Sequence, residues 1–237
     1  MTNLQKTEIA ALALAEKERL GSGEKVATKC SVSGATISLV LNQKWEQVTD
    51  QMWLKIANAL GFRERSWNIV PVSNSRIVES ACGHAQKHSM FFAISHRAGS
   101  GKTASLETYS TTNRTNTFLI QAREWAKREF LVQICRTLGI DTTYRLTLDD
   151  LTQEVIQFFQ ARPGSLLIID EADKLKSPAM RVLIPLYNAC EGILGVVIAG
   201  TDHLEKELKN DVRLSRKGAD EIVSRFGRRF LHLQGAT

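Results

Sequence analysis

The sequence of 237 residues contains four cysteines and no long apolar run, and its composition shows no sign of disorder. The cysteines stand singly without a C-x-x-C pair, so we expect no disulfide scaffold and reduced thiols, as in a cytosolic protein. No stretch approaches the roughly twenty apolar residues that a membrane-spanning helix needs, and the N-terminus lacks a signal-peptide pattern. These absences predict a soluble, cytoplasmic protein with no membrane partner.

Length and charge set broad limits on the function. A chain of this length should form one or two domains with enough apolar content for a buried core. The formal net charge of +6 is compatible with a polyanionic partner such as nucleic acid. A basic excess of this size does not by itself prove such a partner.

Residues 91–103, FFAISHRAGSGKT, carry the most informative pattern in the chain. An apolar run leads into a glycine-containing turn and then Lys102 and Thr103, as in a phosphate-binding loop between a strand and a helix. Lys102 would reach the β and γ phosphates of ATP, and Thr103 would ligate Mg²⁺. The first glycine of the G-x-x-x-x-G-K-[ST] pattern falls on His96, where we expect a left-handed backbone. The predicted nucleotide contacts in this loop are Ala98, Gly99, Ser100, Gly101, Lys102, Thr103 and Ala104. The alternative is a chance G-K-T in a loop.

A second pattern, LLIIDEAD at residues 166–173, is an apolar run that ends in acids. Such a run is typical of a strand buried on both faces of a parallel sheet, and ligands bind at the carboxyl ends of such strands. Asp170 would contact the nucleotide site by holding Mg²⁺ through water, and Glu171 would orient and polarise the attacking water. Alone, this pattern could be a solvated strand end, but after a G-K-T turn it favours nucleotide binding.

The N-terminal segment reads as a small helical domain. Residues 7–20 have apolar positions at helical spacing, Gly21 to Gly23 form a stop, and residues 24–42 resemble a helix-turn-helix of the phage-repressor type. In that motif the second helix lies in the major groove. The resemblance implies that Ser33, Thr36 and Ser38 face the bases and that Asn42 or Lys44 contacts the backbone. The alternative is a helical docking module, because this face carries no Arg or Gln to read bases.

From about residue 77 the sequence alternates helix and strand. This pattern predicts a parallel sheet covered by helices on both faces. We expect a helical domain over 1–62, a linker and the start of the second domain over 63–76, and an α/β domain over 77–237. The predicted helices of the chain after the linker are 76–88, one following Lys102, 123–138, 148–160 and 178–190, and the strands are 91–95, 117–121, 166–170, 195–201 and 229–233.

Two further polar residues, Thr201 and Arg225, are candidates for a role in nucleotide hydrolysis. Thr201 ends a strand that we expect to lie beside both phosphate-site strands, where it could hydrogen-bond the attacking water or the γ phosphate. Plain capping of the strand end is the alternative. Arg225 precedes the last strand, a position from which it could serve as an arginine finger that contacts the nucleotide of the next subunit. A basic surface patch is its alternative, and Arg228 or Arg229 could take the same role.

The segments GSGKT, LLIIDEAD, VVIAGT and SRFGRR, in this order, resemble an AAA+ ATPase. With the preceding helix-turn-helix, the layout is similar to the transposition target-DNA ATPases of the phage Mu B protein type. This resemblance implies an ATP- and Mg²⁺-dependent ATPase that forms a helical filament, a homo-oligomer, on double-stranded DNA and presents that DNA to a transposase. Such ATPases usually continue into a helical lid. Because the sequence ends at Thr237, just after the last strand, we expect either a chain truncated before the lid or a protein in which the lid is absent.

The DNA contacts of the second domain are harder to predict from sequence. Phosphate contacts need Lys or Arg, and the candidates are Arg123, Lys127, Arg128 and Arg145, although a solvated helix face is the usual explanation of such a cluster. Two other functions stay open: a nucleotide-switched helix-turn-helix transcription regulator, and an AAA+ loader or helicase suggested by the literal Asp-Glu-Ala-Asp.

Overall fold

The structure is a computed structural model that describes residues 1–62, 73–142, 146–228 and 230–233. The described chain divides into two compact units. The first contains residues 1–62 and 135–142, and the second contains residues 73–134, 146–228 and 230–233. Most of the predicted linker, 63–72, lies outside the described residues, and residues 73–76 are helical. The exact domain boundary stays a prediction.

The first unit is helical. Its helices are α1 (Asn3–Leu20), α2 (Gly23–Cys30), α3 (Gly34–Leu41) and α4 (Asp50–Ala59), with a 3₁₀ turn at Trp45–Gln47. Side-chain oxygens of Thr2, Ser22, Ser33 and Thr49 accept backbone N–H bonds at the four helix starts. The turn between α2 and α3 places Ser31 in the left-handed region at φ 53°. Buried Ile9, Val26, Ile37, Val40 and Trp53 form the core.

A buried ion cluster ties α1 to α2. The Glu16 carboxylate accepts hydrogen bonds from Arg19 Nη1 at 2.9 Å and from Lys29 Nζ at 2.7 Å. Burial by itself would raise the pKa of Glu16, but the charges of Lys29 and Arg19 together hold that pKa below its ordinary value of 4.5. Each charge in this cluster therefore depends on its partners for stability.

The second unit is an α/β domain. Its strands are β1 (Phe91–Ser95), β2 (Thr117–Gln121), β3 (Ser165–Asp170), β4 (Leu194–Gly200) and β5 (Phe230–Leu231). Its helices are α5 (Ser73–His88), α6 (Lys102–Thr112), α7 (Lys127–Leu138, of which residues 135–138 belong to the first unit), α8 (Leu148–Gln160), α9 (Ser177–Met180), α10 (Leu183–Cys190), α11 (Asp202–Arg213) and α12 (Ala219–Arg225), with a 3₁₀ turn at Ala172–Lys174.

The five strands form one parallel sheet in the order β2-β3-β4-β1-β5. Every residue of β3 and β4 is buried, as expected for central parallel strands covered on both faces. The predicted α/β fold is confirmed. Because β4 pairs with both β1 and β3, the strand that ends next to Thr201 lies between the two phosphate-site strands, as the sequence predicts.

Two predicted helices need correction, and two helices were not predicted. Helix α7 begins at Lys127, not at Arg123, because the Glu129 carboxylate caps it by accepting the Ala126 N–H at 2.8 Å. The predicted helix 178–190 is divided into α9 and α10. The division falls where Pro185 cannot donate to the Arg181 carbonyl four residues earlier. Helices α11 and α12 were not predicted. In the described part of the chain, no helix is long and apolar enough to cross a membrane.

Candidate functional site

The loop between β1 and α6 has the backbone that a phosphate-binding turn requires. Gly99 and Gly101 hold left-handed conformations at φ 78° and 82°. His96 does not, so the expectation for this position is wrong. Its N–H donates to the Gly200 carbonyl at 3.3 Å, which keeps His96 attached to β4 as an extension of the strand. Histidine at the first position of the pattern therefore introduces no left-handed strain.

Lys102 is held at the centre of this loop. Its ammonium donates to the carbonyls of His96 and Arg97, at 2.7 and 2.9 Å, and to Ser100 Oγ at 3.1 Å. The side chain is buried, and burial lowers the pKa of Lys102, opposed by the charges of Asp170, Asp173 and Asp202. A desolvated cation surrounded by carbonyl oxygens is suited to exchange those acceptors for phosphate oxygens.

Thr103 and Asp170 meet directly below the loop. Thr103 Oγ1 donates to Asp170 Oδ2 at 2.7 Å, and the other carboxylate oxygen accepts the Glu171 N–H at 2.9 Å. Burial raises the pKa of Asp170, although the Thr103 and Glu171 donors oppose the shift. A hydroxyl and a partly desolvated carboxylate are hard oxygen ligands of the kind that Mg²⁺ prefers, so these residues fit the predicted cation.

Glu171 follows β3 in a strained backbone conformation. Its φ of 54° is left-handed, which is uncommon for a residue with a side chain and turns the chain abruptly at the end of the strand. Its carboxylate forms an ion pair with Lys174 at 2.8 Å, and Lys174 is about half exposed. A pair this exposed to water contributes about 0–1 kcal/mol, so Glu171 can leave it at little cost.

Thr201 caps α11 and contacts Asp173, a residue that no prediction included. Thr201 Oγ1 accepts from the His203 N–H at 3.3 Å and donates to Asp173 Oδ2 at 2.7 Å. Asp173 Oδ1 also accepts the Thr201 backbone N–H at 3.3 Å. The only sequence signal for Asp173 was its place in the Asp-Glu-Ala-Asp run.

These residues surround one cavity of about 400 Å³. Its lining contains every predicted nucleotide contact, together with Glu171 and Thr201. The lining residues are Ala98, Gly99, Ser100, Gly101, Lys102, Thr103, Ala104, Asp170, Glu171, Asp173, Lys174, Gly200 and Thr201. The fold therefore brings the loop, the acidic strand end and the Thr201 strand end together at one edge of the sheet, as in other open α/β sheets.

Arg225 does not line this cavity. It ends α12, where its guanidinium lies 4.6 Å from the ring centre of Tyr187 and 3.4 Å from Glu221. Arg228 forms an ion pair with Asp220 at 2.9 Å, and Arg229 lies outside the described residues. Of the finger candidates that the structure describes, neither Arg225 nor Arg228 lines the cavity of its own subunit.

The candidate DNA contacts of the second unit are partly exposed. Arg123 is exposed in the loop after β2 and not on a helix, which corrects the prediction of a shared helical face. Lys127 is half-buried, and Arg128 is exposed and donates to the Leu146 carbonyl at 2.8 Å. Arg145 lies outside the described residues.

The DNA contacts predicted on and near α3 differ in their exposure. Thr36 is buried, its hydroxyl lies 2.9 Å from Ser33 Oγ and 3.8 Å from Met52 Sδ, and it cannot face a base as the resemblance implied. It lies inward because α3 buries the face that carries its neighbours Ile37 and Val40. Ser33 is exposed but caps the helix, Ser38 is exposed within it, and Asn42 and Lys44 are exposed at and just after its C-terminal end.

A comparison with protein-family models matches residues 85–208 to the AAA domain. A search among curated proteins finds no match. The matched segment covers more than half of the chain and includes the loop at Lys102, the acids at Asp170 and Glu171, and Thr201. The chain therefore belongs to the AAA domain family of P-loop ATPases.

Proposed function

We propose that this protein is a Mg²⁺-dependent ATPase that assembles as a filament on double-stranded DNA and delivers that DNA to a transposase. The observation that carries the ATPase part is the convergence of Lys102, Thr103, Asp170, Glu171 and Thr201 on one cavity of about 400 Å³. The DNA and transposase parts rest on the sequence resemblance, the formal charge of +6 and the exposed basic side chains after β2.

Each residue of the cavity has a chemical task in this proposal. Lys102 would leave the loop carbonyls and donate to β and γ phosphate oxygens, while the loop N–H groups and the start of α6 hold the remaining oxygens. Thr103 and Asp170 would hold Mg²⁺, which neutralises charge that develops on the phosphates. Glu171 would leave Lys174 and orient a water for in-line attack.

The location of Arg225 supports a site completed by a second copy of the chain. Its guanidinium packs on Tyr187, pairs with Glu221 and does not line the cavity of its own subunit, so in this proposal it would leave these two partners to reach the nucleotide of a neighbouring subunit. A positive charge supplied in this way can accelerate hydrolysis by a factor of about 10³ to 10⁵. In this proposal, hydrolysis depends on assembly.

The first test is binding of random-sequence duplex DNA with ATP, ADP or no nucleotide, imaged by electron microscopy. We expect filaments with ATP only, and none with Lys102→Ala, which loses the cation that contacts the phosphates. Glu171→Gln should bind ATP and form filaments that persist, because hydrolysis is slow. Discrete complexes on one sequence, independent of nucleotide, would instead indicate the transcription regulator, and strand unwinding would indicate a helicase.

A second test addresses the DNA surface. If Arg123 and Arg128 each contact a phosphate, replacing either by alanine should weaken binding to all sequences and reduce the slope of log K against log salt by about 0.9. Arg213→Ala is the matched control, because it removes the same charge from an exposed position on α11. An equal loss in the control would show that net charge, and not this surface, determines DNA binding.

A further inference from the structure

Thr201 is fixed at three of its polar groups. Its carbonyl accepts the Ser95 hydroxyl at 2.9 Å, its N–H donates to Asp173 Oδ1, and its hydroxyl donates to Asp173 Oδ2. Ser95 ends β1, and Asp173 lies in the 3₁₀ turn that follows β3, so the contacts come from the strands on either side of β4. Thr201 is therefore held more firmly than capping of α11 alone requires.

The hydrogen-bonding capacity of the Thr201 hydroxyl is nearly used up. A threonine hydroxyl has one hydrogen to donate and two lone pairs to accept with. The hydrogen goes to Asp173 Oδ2, and one lone pair accepts the His203 N–H. What remains is one lone pair, which can accept a hydrogen from water but cannot donate to a phosphate oxygen.

The close approach of Asp173 depends on the residue before Thr201. A β-carbon added to Gly200 would lie 2.6 Å from Asp173 Oδ1 and 3.0 Å from Leu204 Cβ. Any side chain at Gly200 would therefore displace the carboxylate. The sequence has glycine at the position where this contact requires it.

We infer that Asp173 is a positioning residue for ATP hydrolysis, which sets Thr201 as a hydrogen-bond acceptor for the attacking water and prevents it from donating to the γ phosphate. This inference rests on the proposed ATPase function and selects one of the two contacts that the sequence left open for Thr201. Asp173 acts through Thr201: its carboxylate takes the hydroxyl hydrogen, and the free lone pair then helps Glu171 to orient the water.

Asp173→Asn is the variant that reverses this polarity. The amide can still accept the Thr201 N–H through its oxygen, and its NH₂ group then donates to Thr201 Oγ1. The freed hydroxyl hydrogen can turn toward the γ phosphate. We expect kcat to fall about 10²-fold, the size of a misplaced reacting group, while the preference for ATP over ADP in equilibrium binding increases several-fold.

A double-mutant cycle with Thr201→Val separates positioning from a general structural effect. Once the hydroxyl is gone, Asp173→Asn should change kcat less than about threefold, because coupled residues are not additive. Thr201→Ser keeps the hydroxyl and should therefore lose much less kcat than Thr201→Val. Thermal unfolding of each variant identifies any loss of kcat that follows from loss of folded protein.

Asp202→Asn is the charge control. Like Asp173, Asp202 carries a negative charge that opposes the lowering of the Lys102 pKa by burial. Its replacement removes one negative charge at the start of α11 and leaves the hydrogen bonds of the Thr201 hydroxyl in place. It should alter ATP and ADP binding alike. The positioning role would be refuted if Asp173→Asn lowered kcat equally in the wild type and in Thr201→Val, or if it left kcat or the preference for ATP unchanged. Neither result would contradict the proposed ATPase function. A wild type that binds ATP but never hydrolyses it, with or without DNA, would refute the proposed ATPase as well.

Discussion

Replacing Gly200 with alanine is expected to impair catalysis more than folding. The new methyl group would lie 2.6 Å from Asp173 Oδ1, so the carboxylate must move and lose both hydrogen bonds from Thr201. Because Asp173 lines an open cavity, water can solvate the displaced group, and we expect a destabilisation of about 1–2 kcal/mol. Thr201 then loses its orientation, and kcat should fall about 10²-fold.

Gly195→Ala is the matched control on the same strand. Its methyl group would collide with the Ala85 carbonyl oxygen and lie 2.6 Å from that carbonyl carbon, and both are backbone atoms of α5. No side-chain rotation relieves this clash, so the sheet and helix must separate, at a cost of about 3 kcal/mol. The site at the far end of β4 is not touched, and the folded fraction should keep a kcat close to that of the wild type.

The assay combines steady-state ATP hydrolysis with thermal unfolding of both variants. For a protein of this size, 1 kcal/mol corresponds to roughly 2–4 °C in Tm, so Gly195→Ala should lower Tm by about 6–12 °C and Gly200→Ala by about 2–8 °C. The loss of kcat should show the opposite order: it should be large in Gly200→Ala and small in Gly195→Ala. If Gly200→Ala hydrolyses ATP at the wild-type rate, the carboxylate is not needed beside Thr201, and the reasoning is wrong.

Three further predictions concern charged residues. Lys174→Ala should change basal kcat less than about fivefold, because an exposed pair with Glu171 contributes about 0–1 kcal/mol; a larger change in single-turnover hydrolysis would mean that Lys174 acts on the phosphates. Arg225→Ala should reduce hydrolysis only in the assembled state, and an equal loss in isolated monomers would contradict a finger in the next subunit. Glu16→Gln should cost the first unit about 3–5 kcal/mol near neutral pH, measured by denaturant unfolding, because the buried Arg19 and the half-buried Lys29 are left without a counter-charge. Since the folded-state pKa of Glu16 is depressed, its contribution is complete above 4.5 and is lost as pH falls through the folded value, so the difference between wild type and variant should shrink in acid.

Some structural features that differ from the predictions have a local cause in the sequence. Pro185 stands inside the predicted helix 178–190, and its missing N–H accounts for the division into α9 and α10. Helix α11 has Thr201 as its N-cap, acids in its first turn and buried Leu204 and Leu208 at a spacing of four. The start of α7 also has a local cause, the Glu129 cap. These features depend on neighbouring residues, so the sequence alone contains the signal for them.

Other features could not be found in this way. Thr36 is buried because α3 turns that face toward Met52 of α4, whereas its neighbour Ser38 is exposed. The backbone of His96 is set by a hydrogen bond to Gly200, on a different strand. Asp173 receives its role from Thr201, which is 28 residues away. In each case the partner is distant in sequence, and no local pattern identifies it.

The sequence by itself determined the order of strands, turns and helices and the chemistry at their ends, because propensity, turn geometry and apolar periodicity act over a few neighbouring residues. It placed Lys102 and Thr103 after one strand and Asp170 and Glu171 after another. Only the tertiary structure decided which of these ends meet. The strand order β2-β3-β4-β1-β5 brings Thr103 to Asp170 across 67 residues and lets Asp173 take the Thr201 hydrogen. Such contacts are fixed by long-range strand pairing and packing, which local sequence patterns do not specify.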